Sequence, residues 1–346
     1  MQSISQIPGV LVGHATKPEA GTGCTVLVFP EGAVGAVDVR GGAPATRETD
    51  LLRPEETVQQ VHAVVLSGGS AYGLAASCGV AEELERAGIG LDVGVGIVPI
   101  VTGACLFDLG VGRADVRPTA ADGAAATRTA LAERDVPASE HTPLEQGNVG
   151  AGTGCSVVKL AGPERCMKAG LGESVQAAGP LVCGAVVAVN ALGDVVDPHT
   201  GERIAGLLSE DRTHVADSVE AALTLTAQTL EQDPQALSWL RTNTTISCVV
   251  TNAQLTQAQA TKVAQMAADG YAHAIRPVHT TNDGDTIFVA ATGEVPAGVD
   301  AVGMLATRAI EQAIVNAART ADSAYGLPSA HEVSLHEGSE AGGLAK

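Results

Sequence analysis

Asn243-Thr244-Thr245-Ile246-Ser247-Cys248-Val249-Val250-Thr251 is the stretch on which the reading of this chain turns. A polar segment, read as loop over 232–242, ends at Asn243, and an apolar, β-branched strand begins over 245–251. A loop against a buried strand is a natural place for processing. A threonine hydroxyl at that junction can attack the preceding carbonyl, turn the peptide into an ester, and leave threonine with a free α-amine. Such an amine has a pKa near ~7.7–8.0, low enough to act as base for its own hydroxyl. Taken alone, the same residues also suit an ordinary strand start, since threonine is a good β-former.

Outward from this junction the chain alternates strands and helices. C-terminal to it, the pattern predicts a helix over 256–270, a strand over 286–291 and a long Ala-rich helix over 299–321, then a polar tail from about 328. N-terminal to it, 24–29 and 33–39 read as a hairpin about Pro30-Glu31-Gly32. A buried strand over 61–66 runs into Ser67-Gly68-Gly69-Ser70 and a helix from about 71 to 87, placing a Gly-rich turn at a strand's carboxyl end. A second Gly-rich run, 147–154, leads to Lys159. The strand 181–190 ends at Asn190, and 195–243 is polar with one helical stretch at 215–231. Mixed elements without repeats predict a layered α/β sandwich.

Composition narrows the function. The 346 residues carry 39 Asp plus Glu against 20 Lys plus Arg, a net charge of -19, which opposes binding to nucleic acid or to anionic membranes. Aromatics are only 2% of the chain, so the core must be built from aliphatic side chains. Seven cysteines without CxxC or Cys/His metal spacing read as buried thiols of a reducing compartment. The N-terminus shows no signal-peptide pattern, and no apolar run reaches the ~18 residues of a membrane span. A soluble, cytoplasmic protein without metal or cofactor is the expectation.

Further residues can join Thr244 in one site. Asp283 and Asp285, two apart in extended chain, would face the same way and could orient the hydroxyl and hold the amine; the same Asp-Gly-Asp is also a common turn. It lacks the further oxygen ligands of a calcium loop. Lys159, between valine and leucine, either snorkels or pairs with one of these carboxylates. Asn190 either forms a turn or donates its amide N–H to an oxyanion. Tyr72 either packs in the core or contacts substrate. Ser70 in Gly68-Gly69-Ser70-Ala71-Tyr72 misses the nucleophile elbow, because Tyr72 stands where glycine is required. Gly150-Ala151-Gly152-Thr153-Gly154 could cradle an anion in a non-catalytic protein, the reading from a different class.

Several motifs in order carry a resemblance. They are Pro8-Gly9-Val10 with Val12-Gly13-His14, Val37-Asp38-Val39-Arg40-Gly41-Gly42, and Leu66-Ser67-Gly68-Gly69-Ser70-Ala71-Tyr72-Gly73-Leu74. Gly150-Ala151-Gly152-Thr153-Gly154, Ala188-Val189-Asn190, Asn243-Thr244-Thr245-Ile246-Ser247 and His279-Thr280 with Asp283-Gly284-Asp285-Thr286 complete the set. From about Ile7 to Leu327 the chain resembles the family of the L-aminopeptidase D-Ala-esterase/amidase, the β-peptidyl aminopeptidases and the nylon-oligomer (6-aminohexanoate-oligomer) hydrolase. The resemblance implies a four-layer α/β/β/α sandwich, shared with the ornithine acetyltransferases. It implies self-cleavage into an α chain, 1–243, and a β chain, 244–346, forming one globular unit. It also implies a small-molecule or peptide substrate and a homo-oligomer, a tetramer of α/β heterodimers. Thr244 matches the nucleophile and Asn243 the residue before the cut; Lys159, Asn190, Asp283, Asp285 and Tyr72 match catalytic or substrate-contacting positions. The aminopeptidase branch uses serine after glycine, so Asn-Thr with Asp-Gly-Asp lies nearer the nylon-oligomer type. Whether water or an amine accepts the acyl group stays open at this level.

Overall fold

The structure, a computed structural model, describes residues 3–232 and 243–333. The loop expected just before Asn243 and most of the polar tail therefore lie outside the described residues.

Nine strands share one hydrogen-bonded ladder: β1 (Leu11–Lys17), β2 (Thr22–Val39), β3 (Thr46–Arg47), β4 (Gln60–Ser67), β5 (Val101–Cys105), β6 (Leu171–Ala178), β7 (Leu181–Asn190), β8 (Thr244–Gln254) and β9 (Thr286–Pro296). Their order is β6-β7-β8-β9-β2-β4-β5-β3, with β1 on β2. Among the described residues, α-helices accompany them at α1 (Ala76–Arg86), α2 (Ala120–Leu131), α3 (Ser218–Gln232), α4 (Gln257–Ala274) and α5 (Val299–Arg319).

The expected hairpin over 24–39 is corrected to a single strand. Residues 22–28 of β2 pair with β1, and 24–28 pair with β4, whereas 34–39 pair with β9. The register with β4 breaks between Val28 and Ala33, and Gly32 sits at φ +77°. Pro30-Glu31-Gly32 thus form an irregularity that bends the strand instead of reversing it. Composition alone does not separate a turn from a bulge, because both use the same residues.

This bend lets the ladder fold into two packed halves. Along β2 and β4 the side chains alternate. Val26, Val28, Ala63 and Val65 cluster with Val80 and Leu84 of α1 and Ala126 of α2. Leu27, Phe29, Val64 and Leu66 turn the other way, into the main core with Val186, Ala188, Ile246 and Cys248. β8 lies against β4 and β5, while α4 and α5 cover β6, β7 and β9. The result is a helix layer, two sheet layers and a second helix layer. Tyr271 of α4 donates its hydroxyl to Ser247 Oγ at 2.9 Å, so odd-numbered residues of β8 face the α4 side. Thr244 and Ile246 then face the space between the two sheet layers, by the two-residue period of a strand.

Local signals position the helices. Thr256 caps α4: its Oγ1 accepts Gln259 N–H at 3.3 Å, and Gln259 Oε1 accepts Thr256 N–H at 2.9 Å. α4 then runs to Ala274, one turn beyond the expected end. The polar region after 190 holds more extended chain than expected, in a small ladder of 203–205, 194–196 and 275–276. Among the described residues, no helix is long and apolar enough to cross a membrane.

Candidate active site

β7 and β8 are antiparallel neighbours, and their register places Asn190, the last residue of one, opposite Thr244, the first of the other. Thr244 is buried. Asn243 bridges to Asp283 on the adjoining loop. The Thr244 hydroxyl donates to the Asn243 carbonyl oxygen. The same oxygen accepts the Gly284 backbone N–H at 3.1 Å. The carbonyl that a self-cleaving threonine must attack therefore has the hydroxyl at one side and an amide donor at another.

Gly284 can stand there only because it has no side chain. A Cβ on it would lie 2.8 Å from Thr244 Oγ1 and 2.9 Å from the Ala43 carbonyl oxygen. The loop is braced from behind by Arg40-Gly41-Gly42-Ala43, whose amides bond to the carbonyls of Asp285, Thr280 and Asp283, the last at 2.8 Å from Ala43 N. A Cβ on Gly41 would meet Asp283 O at 2.3 Å. Motifs 240 residues apart in sequence thus interlock as one piece of backbone.

The two carboxylates are brought to the site, with contacts that differ from the expectation. Asp285 Oδ1 accepts the N–H of Thr245, the residue after the nucleophile, at 2.8 Å, and its Oδ2 meets His279 N at 3.1 Å and His279 Nδ1 at 2.9 Å. Asp283 Oδ2 accepts Thr280 N at 2.8 Å and Thr280 Oγ1 at 2.6 Å. Neither carboxylate accepts the Thr244 hydroxyl, which donates to the Asn243 carbonyl oxygen. Burial raises the Asp283 carboxyl to about 6, with the Asp285 charge adding to the rise.

Lys159 also differs. Of the two readings, snorkelling or pairing with an aspartate, no direct aspartate bond forms: its ammonium donates to Ser156 O at 2.8 Å and Asn190 Oδ1 at 2.9 Å, with Asn243 Oδ1 at 3.5 Å. Burial lowers its ammonium to about 8. Asn190 is fully buried and fixed in place: Nδ2 donates to Phe107 O at 2.9 Å and Oδ1 also accepts Ser156 N–H at 3.2 Å. Tyr72 is not packed in the core. It is exposed, with the Arg117 guanidinium 4.0 Å over its ring.

A cavity of about 620 Å³ reaches Lys159 and Ser156, with Phe107, Leu160, Arg212 and Leu327 among its walls.

Two contributors escape the sequence reading. Gly284 lies inside a motif already singled out, yet nothing in its spacing gives it a donor's role. Asp108 is buried behind the site; its Oδ2 accepts Thr22 Oγ1 at 2.6 Å and its Oδ1 accepts Gly69 N–H at 2.7 Å, so it anchors the first Gly-rich turn. Burial raises its carboxyl to about 6. A lone aspartate after the apolar run 101–107 was the available signal. Among the described residues no group of three or more His, Cys, Asp or Glu side chains could hold a metal ion.

Comparison with known proteins agrees with this architecture. The chain is 41% identical to an uncharacterized aminopeptidase of Mycobacterium leprae, over 95% of this chain and 93% of that one. It is 32% identical to the 6-aminohexanoate-oligomer endohydrolase of Paenarthrobacter ureafaciens, over 83% of this chain and 74% of that one. Among solved structures, the L-aminopeptidase D-Ala-esterase/amidase of Ochrobactrum anthropi superposes with a TM-score of 0.64 at 20% identity, covering 99% of this chain and 95% of its own. A Burkholderia sp. beta-aminopeptidase gives 0.64 at 19% identity, covering 97% and 93%. These likenesses place the fold among the N-terminal-nucleophile hydrolase variants named for the Ochrobactrum enzyme. The sequence model of Peptidase family S58 matches residues 2–331, and the chain belongs to that family of aminopeptidase-type hydrolases.

Proposed function

We propose that this hydrolase matures by cutting its own backbone between Asn243 and Thr244 and then uses Thr244 as an N-terminal nucleophile against amide bonds. The observation that carries the reading is the pair of contacts at the Asn243 carbonyl: the Thr244 hydroxyl on one side and the Gly284 N–H, 3.1 Å away, on the other.

In the first step Thr244 Oγ bonds to the Asn243 carbonyl carbon, and negative charge gathers on the oxygen that Gly284 already contacts. The carbon–nitrogen bond then breaks, and the hydroxyl proton ends on the departing Thr244 nitrogen. Water hydrolyses the ester, releasing the Asn243 carboxylate and restoring the hydroxyl. The new α-amine serves as base for that hydroxyl in every later turnover. Asp285, bonded to Thr245 N–H, fixes the backbone next to the nucleophile. Lys159 supplies positive charge beside Asn190 and the position of Asn243.

The cavity that reaches Lys159, whose ammonium lies 3.5 Å from Asn243 Oδ1, is the space beside the cleaved bond in which a substrate would bind. A substrate's acyl group then takes the position of the former backbone carbonyl, with the Gly284 N–H beside its oxygen. Mixed walls, with Lys159, Glu164 and Arg212 among Phe107, Leu160 and Leu327, suit small peptides or amino-acid oligomers, the chemistry named for the Paenarthrobacter relative.

Thr244→Ala and Thr244→Ser test the reading together. The alanine variant remains a single chain without amidase activity, and the serine variant still cuts. An alanine variant that is cleaved at 243/244, or that hydrolyses amides at the wild-type rate, overturns it.

A further inference from the structure

His279 belongs to the loop that carries Asp283 and Asp285 yet has no part in the chemistry described so far. Its backbone adopts φ +57°, in the left-handed region where histidine, asparagine and aspartate occur more often than other side chains. Its ring stacks on Tyr271 of α4, with centroids 5.5 Å apart and planes 21° from parallel. Nδ1 lies 2.9 Å from Asp285 Oδ2, and its backbone N–H donates to the same oxygen at 3.1 Å. Nε2 is buried with no hydrogen-bond partner.

A carboxylate only accepts, so the proton of the neutral ring belongs on Nδ1. Nothing at Nε2 competes for the ring's orientation. The Tyr271 face sets the plane, and the left-handed backbone brings the N–H and Nδ1 to one Asp285 oxygen. The other Asp285 oxygen, Oδ1, holds Thr245 N–H. The chain of contacts therefore runs from α4 through His279 and Asp285 to the peptide beside the nucleophile.

We infer that His279 is a positioning residue: its Nδ1–H fixes the Asp285 carboxylate, which in turn holds the Thr244–Thr245 peptide in the geometry for attack. The inference rests on the self-cleavage reading above. It adds a residue that touches neither the scissile bond nor the cavity.

Asparagine and aspartate make the test, because both tolerate the left-handed backbone and both lose the stacking on Tyr271 to the same extent. His279→Asn keeps an N–H donor near the Nδ1 position; His279→Asp replaces it with a second acceptor facing Asp285. Cleavage at 243/244 and later amide turnover are measured for both variants, with thermal unfolding as the control for folding. The expected result is His279→Asn within a few-fold of wild type and His279→Asp slower by about tenfold or more, the loss of one charge-assisted hydrogen bond. Equal rates for the two variants, whether both fast or both slow, overturn the inference. Should His279→Asp not fold, His279→Gly takes its place, with the same slow rate expected. A wild-type chain that never cuts at 243/244 contradicts the self-cleavage reading instead, which keeps the two failures apart.

Discussion

Replacing Gly284 with alanine puts the proposed oxyanion contact under direct strain. Its φ lies outside the left-handed region in which alanine is disfavoured, so space alone decides the outcome. The new Cβ would sit 2.8 Å from Thr244 Oγ1 and 2.9 Å from Ala43 O. Ordinary contact begins near 3.4 Å, so the loop or the threonine must move by roughly 0.6 Å. Ala43 is backbone held by its own bond to Asp283 O and yields little. Moving the loop away by that amount stretches the Gly284–Asn243 hydrogen bond from 3.1 Å to beyond useful length. Loss of one such donor slows related chemistry by about 10²–10³-fold, whereas the overpacking itself costs ~1–3 kcal/mol of stability. A folded precursor that cuts itself slowly is the expected result. The assay follows appearance of fragment 244–346 by denaturing gel after rapid purification, with circular dichroism to confirm folding. A folded Gly284→Ala chain that matures at the wild-type rate refutes the donor role.

Three further outcomes are expected. The Lys159 ammonium is lowered to about 8 by burial, so its charge is present below that pH and lost above it. Self-cleavage should slow as pH rises through about 8, and Lys159→Met should be ~10–100-fold slower without that falling limb; an unchanged limb in the variant assigns it to another group. Asp108 is raised from 3.8 to about 6, so the folded state binds its proton more tightly than the unfolded chain. The stability this contributes is full below about pH 4 and disappears as pH rises through 6; melting curves of Asp108→Asn should lack this part of the decline, and identical pH profiles contradict the assignment. Of the seven cysteines only Cys78 is exposed, so a thiol reagent should label one site in native protein and all seven after denaturation; several fast native sites contradict the buried set.

The elements most visible in sequence were those with a strong period or a clear boundary. β7 ends at Asn190 as expected, β8 begins at the Thr244 junction, and the helices after 256 and 299 lie within a turn of their expected spans. Their apolar patterns are local, and local patterns survive into the fold. The bent β2 was misread because Pro30-Glu31-Gly32 make both turns and bulges, and only the distant partners β4 and β9 decide between them. In the site, the residue types were legible and their contacts were not. Asp283 and Asp285 do reach the junction, but the loop turns one to Thr280 and the other to Thr245 and His279. Lys159 donates to Ser156 O and to the Asn190 side-chain oxygen, partners that only the register of β7 with its neighbours brings within reach. Gly284 and Asp108 act through a backbone donor and a buried anchor, roles that no spacing rule announces.

The central claim concerns the peptide between Asn243 and Thr244, and intact mass of the purified protein under denaturing conditions reads it directly. Two species, residues 1–243 and residues 244–346 with an amino-terminal threonine, are the expected result in active material. One continuous chain that hydrolyses amides at full rate would contradict the account.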